Sequence, residues 1–216
     1  MGGPVPGALA SPAAAVIEAI IFAAFLFQFY RYHHRRYLLL WGVGWCAFAI
    51  FQIAAFSGEW LHAAGLFSHA REVSRGVTAA AACIQILATI WGCSELILRR
   101  PLTTGVSRQA LGLTALAAAV FATTLIVLPP AETAVVAALT IHALIAGMAF
   151  LGCAWAVWKY RGREEPLGFL FLIAGMAAYG LMQLVYSLPG FHWLVSGGPL
   201  PWSGVVTSYL LALQGA

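Results

Sequence analysis

Apolar runs about as long as a bilayer is thick recur along this chain, and they constrain its fold more than any single motif. Segments at 13–30, 37–56, 76–98, 111–128, 133–158 and 167–188 are each long enough to cross the hydrocarbon layer as a helix, and a further run closes the sequence at 202–216. A backbone in lipid can satisfy its hydrogen bonds only within helices or a closed barrel, and continuous runs of this length select helices. With 62% apolar and 8% charged residues among 216, and a mean hydropathy of +0.89, the chain has no room for a soluble catalytic domain. The expected fold is therefore all-α: one polytopic membrane domain over 1–216, a seven-transmembrane-helix bundle.

Basic residues give that bundle a direction. Placing the connections alternately on two sides puts Arg31, Arg35, Arg36, Arg99, Arg100, Arg108, Lys159, Arg161 and Arg163 on one side, and Arg71 and Arg75 on the other. Nine against two in short loops predicts an outside N-terminus and a cytoplasmic C-terminus. The net charge of +4 is spent on these topology clusters, so a nucleic-acid partner is not expected. The start, MGGPVPGALASPAAA, lacks the basic region of a cleavable signal, so the first span is expected to be retained. Cys46, Cys83, Cys93 and Cys153 lie in apolar runs, where they read as packing residues rather than a disulfide framework. The seventh run stops without a basic flank, which predicts that the native chain continues beyond it.

Sliding the chain on itself by about 130 residues brings two segments into partial register. Gly44, Ala47, Phe48, Ala49 and Gln52 fall on Gly175, Ala178, Tyr179, Gly180 and Gln183, and SRGVT falls on SGVVT. A real duplication makes a three-plus-one-plus-three parallel repeat, with a binding locus between the copies. Compositional likeness between apolar helices explains the same match.

Polar residues at membrane depth are the candidates for chemistry. Glu18 sits inside the first run, where a carboxylate is costly enough to suggest a ligand or proton role, although partial hydration near the surface also accounts for it. His142 is well inside the fifth span, and a lone histidine there is either functional or a packed, hydrogen-bonded residue. Gln52, Gln85 and Gln183 place amides among apolar neighbours, where they act as interhelical glue or meet a ligand. Tyr179, Gln183 and Tyr186 share a face at i, i+4 and i+7, as do Trp45 and Gln52 seven apart. Glu95 has Arg99 four residues on, which predicts an ion pair at the helix end.

The longer outer connections, SGEWLHAAGLFSHAREVSR and SLPGFHWLVSGGPLPW, are rich in Trp, Phe and His. They form either an interfacial aromatic belt or a lid. Glu59, His62, His69 and His192 there show no compact zinc spacing, so no metal is expected. No cofactor is expected either, because a haem needs two histidines at comparable depth. The sequence contains no Asp, which excludes Ser-His-Asp triads and aspartate-based pumps, and Lys159 is misplaced for a retinal Schiff base.

The stretch from Phe27 to Phe56, FQFYRYHHRRYLLLWGVGWCAFAIFQIAAF, resembles the first hairpin of bacterial seven-helix membrane sensor domains found N-terminal to histidine kinases and diguanylate cyclases. The rest of the chain shares helix number and topology with them. That resemblance implies a non-enzymatic input domain in the bacterial inner membrane. It implies a homodimer whose last helix relays a small-molecule or lipid-like signal to a cytoplasmic kinase or cyclase domain. The expected binding residues, in the outer half of the bundle, are Glu18, Trp45, Gln52, Trp60, His62, His142, Tyr179, Gln183, Tyr186 and His192. The competing expectation is a small-solute transporter similar to SWEET-type sugar carriers; against it, helix-breaking prolines are missing from the expected span interiors. A membrane enzyme or haem protein is a third class, for which the polar inventory is thin.

Overall fold

The computed structural model describes the backbone of residues 6–63, 69–127, 131–160 and 167–196, which is helical apart from short turns. Six helices follow one another: α1 (Pro6–His33), α2 (Arg36–Ala63), α3 (Ala70–Leu98), α4 (Thr104–Val127), α5 (Ala131–Tyr160) and α6 (Leu167–Ser196). All six are long and apolar enough to cross a membrane. They correspond one to one with the first six expected spans. The seventh expected span, 202–216, lies outside the described residues.

Several helices outrun their apolar runs, because helical hydrogen bonding continues after hydropathy falls. α2 reaches Ala63, and α6 continues to Ser196 with Pro189 inside it. Pro189 stands within one turn of the end of the α6 span window, Leu170–His192, and the helix continues through it.

The helices are apolar nearly all round, so their packing faces are set by small residues rather than by a hydrophobic stripe. α3 is central and packs against α2, α4 and α5, while α1 lies on α2 and α6 lies on α5. Ala19, Ala49, Ala81 and Ala82 pack around Phe48 and Phe51 where α1, α2 and α3 meet. The α5–α6 contact is tighter still. A Cβ placed on Gly147 would lie 2.9 Å from the Gly180 carbonyl oxygen, and one on Gly180 would lie 3.0 Å from that of Gly147. The two backbones touch there, as only glycine permits.

Hydroxyl groups within the apolar helices are satisfied by the preceding turn. Thr89 donates to the Gln85 carbonyl at 2.9 Å, Thr114 to Ala110 at 2.8 Å and Thr123 to Ala119 at 2.8 Å. Ser74 donates instead across the helix gap to the Ala54 carbonyl, tying α3 to α2. Outward faces are apolar, as a lipid environment requires: Ile17, Ile20 and Phe25 on α1 and Leu113, Leu116 and Val120 on α4 are all exposed.

The α1–α2 and α3–α4 turns come together at one end of the bundle. Each contains a non-glycine residue in the left-handed region, His34 at φ 50° and Arg99 at φ 54°. Such geometry costs roughly 1–2 kcal/mol on a side-chain-bearing residue. Beside these turns Glu95 is buried. Its Oε1 accepts from Trp91 Nε1 at 2.8 Å and from the Leu102 amide at 3.4 Å, and it lies 3.5 Å from Arg36 Nε. Arg36 of α2 thus faces Glu95 across the helix gap, an interhelical pair that spacing along α3 does not offer.

Candidate functional site

Because α6 leans on α5 while α1 lies on α2, a gap opens between the two halves of the bundle. It forms a cavity of about 420 Å³. Glu18 and Phe22 on α1, Trp41, Gly44, Trp45 and Phe48 on α2, Gln85 and Thr89 on α3, Phe150 on α5, and Gly175, Met176 and Tyr179 on α6 line it. These positions lie near the middle of each span window and extend towards the end where the arginine-bearing turns meet. The cavity is therefore centred at mid-depth, reaching from Glu18, near the start of the α1 window, to Trp41, near the start of the α2 window.

Its walls are aromatic and continuous. Phe22 stacks on Trp45 at 5.1 Å between centroids, Trp45 meets Tyr179 edge-on at 5.5 Å, and Phe150 tilts against Tyr179 at 4.6 Å. Such pairs bridge α1, α2, α6 and α5 across a space their backbones do not close.

Polar groups interrupt this lining at a few points. Gln85 is buried, and its Oε1 lies 2.7 Å from His142 Nε2. With Nε2 protonated the imidazole donates to that oxygen, leaving the Gln85 N–H groups for other partners. His142 is stacked on Phe51 at 4.1 Å, so its ring plane is fixed. It stands behind the wall and orients Gln85 rather than facing the cavity.

Two buried donors on lining residues make no hydrogen bond of normal geometry, Trp41 Nε1 and Tyr179 Oη. Trp41 Nε1 stands close to the Cys93 thiol and against α3, where a Cβ on Gly92 would come within 2.4 Å of it, so this donor faces a helix rather than the open cavity. The Tyr179 hydroxyl stands close to the amides of Gln85 and Gln183 without a hydrogen bond of normal geometry to either. A buried donor without an acceptor costs about 1–3 kcal/mol, so the Tyr179 hydroxyl invites an acceptor in the space before it.

Of the ten residues expected from sequence, Glu18, Trp45 and Tyr179 line the cavity. His142 and Gln183 are buried behind it. Gln52 is buried in α2 without lining it, and Tyr186 and His192 also lie outside its walls. The side chains of Trp60 and His62 fall outside the described residues, as do those of Glu59 and the remainder of the first outer connection up to Phe67. Sequence reasoning missed Trp41, Thr89, Phe150 and Met176, and treated Gln85 as a possible glue residue. Trp41 was within reach, since it precedes Trp45 by four residues and shares its helix face.

No family model, curated protein or solved structure matches the chain. The chemistry of the cavity is the guide that remains.

The His142–Gln85 pair makes a first testable expectation. His142→Leu leaves the Gln85 oxygen buried and unpaired, and thermal unfolding in nanodiscs should show a loss of about 1–3 kcal/mol. Adding Gln85→Leu removes the orphaned partner and should restore part of that loss. Additive losses in the double variant would show that the two side chains do not act as a pair.

Proposed function

We propose that this chain is a membrane-embedded receptor domain. Its cavity takes a small, uncharged, ring-bearing molecule with a carbonyl or similar acceptor. The observation that carries this reading is the Tyr179 hydroxyl, a buried donor without a hydrogen bond of normal geometry, beside the Gln85 amide on the wall of a mid-depth aromatic cavity. An acceptor seated between that hydroxyl and the Gln85 amide gains hydrogen bonds in a setting without competing water, while the aromatic rings cover its apolar faces. Thr89 is already bonded along its own helix, so the selectivity for an acceptor rests on the Tyr179 O–H and the Gln85 N–H groups. Glu18, at the α1 side of the cavity, adds a carboxyl that disfavours anionic ligands.

Occupancy provides a route for signalling. A ligand bridging α2 and α6 favours the arrangement in which both walls are in reach, which is a bias on a two-state bundle. In this reading the arginine-rich end faces the cytoplasm, and the chain after α6 carries the displacement to a kinase or cyclase domain in a paired assembly. A duplication suits the same picture: the matched residues Gly44 and Gly175, and Phe48 and Tyr179, all line one cavity, where the Phe48 and Tyr179 rings meet edge-on at 6.5 Å.

Binding of naphthoquinone and of indole to the chain in nanodiscs, measured by equilibrium dialysis, tests the reading. The quinone offers acceptors and indole offers a donor. Tyr179→Phe should weaken the quinone about tenfold, the worth of one good hydrogen bond, whereas Trp41→Phe, whose N–H faces α3, should not; both should leave indole unchanged. Equal affinity for both probes in all three proteins would remove the case for an acceptor site. The carrier reading retains one support, the proline inside α6. Protein-dependent uptake of labelled probe into proteoliposomes would favour it over a receptor.

A further inference from the structure

At the end of the bundle where the two short turns meet lies a second pocket of about 510 Å³, distinct in place and chemistry from the aromatic cavity. Arg35 and Arg36 enter it from the α1–α2 turn, and Arg99 and Arg100 from the α3–α4 turn. Glu95 is the one carboxylate among its lining residues, so four guanidinium groups leave an excess of three positive charges. Glu95 is moreover committed inward. Its Oε1 already meets Trp91, the Leu102 amide and Arg36, so it balances Arg36 and leaves the pocket with net positive charge.

We propose that this pocket binds a phosphate group, and that the group is the headgroup of an anionic membrane lipid. A planar guanidinium matches two phosphate oxygens at once, and guanidinium groups converging from two turns suit a tetrahedral anion better than the scattered cations of a topology signal. Depth selects the lipid over a soluble phosphate. Arg36 opens the span window on α2 and Leu98 closes the window on α3, which puts the pocket at the membrane boundary where headgroup phosphates lie. Apolar surface continues from there along the lipid side: Phe29, Tyr32 and Leu98 are exposed, available to the acyl chains of a lipid held by its phosphate. Bound there, the lipid would clamp the α1–α2 turn to the α3–α4 turn.

The test uses the full chain in a neutral detergent, titrated with short-chain phosphatidylglycerol, short-chain phosphatidylcholine and inorganic phosphate, with binding read by native mass spectrometry and by melting temperature. Saturable uptake of phosphatidylglycerol is expected, at least about tenfold tighter than of phosphatidylcholine. Arg35→Gln and Arg100→Gln should each erase most of that preference. Arg108→Gln, which removes a charge from α4 outside the pocket, should leave it intact. Arg35→Lys should recover only part of it, since charge returns without the two-pronged geometry. Melting temperatures of the variants in phosphatidylcholine alone should match the parent, which separates lost binding from lost folding. Inorganic phosphate binding as tightly as phosphatidylglycerol would overturn the lipid as the source. Equal loss on Arg108→Gln, or no preference between the two lipids, would overturn the site.

Discussion

Gly180→Leu should separate α5 from α6 and cost the upper end of the usual overpacking range, about 3 kcal/mol. A Cβ at position 180 meets the Gly147 carbonyl oxygen at 3.0 Å and the Leu151 amide nitrogen at 3.1 Å. Both are backbone atoms of a helix, so no side chain can swing aside to make room. The effect reaches further than stability because α6 packs on α5, and α6 contributes Gly175, Met176 and Tyr179 to the cavity. Unfolding in nanodiscs and probe binding should fail together, with Gly180→Ala intermediate. If Gly180→Leu melts with the parent protein, the close α5–α6 approach is wrong, and with it the account of why the cavity exists.

Filling the cavity is the converse experiment. Gly175 lines it, and a Cβ added there meets nothing within 4 Å. Gly175→Phe should therefore project a ring into open space with little strain, and even remove the backbone entropy that a helical glycine costs, about 0.5–1 kcal/mol. Melting temperature should hold or rise, while affinity for a cavity-bound probe should fall about 100-fold, equivalent to about 2.7 kcal/mol. The two glycines, five residues apart on one helix, thus give opposite signatures: one loses fold and binding, the other binding alone. A Gly175→Phe protein that binds naphthoquinone as before would show that the probe sits elsewhere.

The helices were legible in the sequence because a membrane span needs only length and apolarity, and both are local. The same property hid the inward faces. When a helix is apolar on every side, spacing cannot say which side turns to the core. Gln52, Gln85 and Gln183 look alike in sequence, yet Gln85 alone lines the cavity while the other two are buried away from it. The difference comes from helix rotation, fixed by alanine and glycine contacts between segments far apart in the chain. Glu95 makes the same point: spacing along α3 offers Arg99, and no spacing could offer Arg36, which the packing of α2 on α3 brings to 3.5 Å. Trp45 and Tyr179 were legible for a different reason. Each belongs to a run of polar and aromatic residues at helical spacing, and bulky rings in such runs gather wherever backbones stand apart.

α4 has no buried residue in its span window, and it lies against α3 at the edge of the bundle. Leu113 and Leu116 there are 68% and 62% exposed. Against fluid acyl chains one apolar side chain serves about as well as another, so α4 is the segment on which selection has the least hold. Among distant relatives its residues should drift furthest while its length and apolar character persist, and the slowly changing positions should trace the opposite wall, from Trp41 through Gln85 to Tyr179.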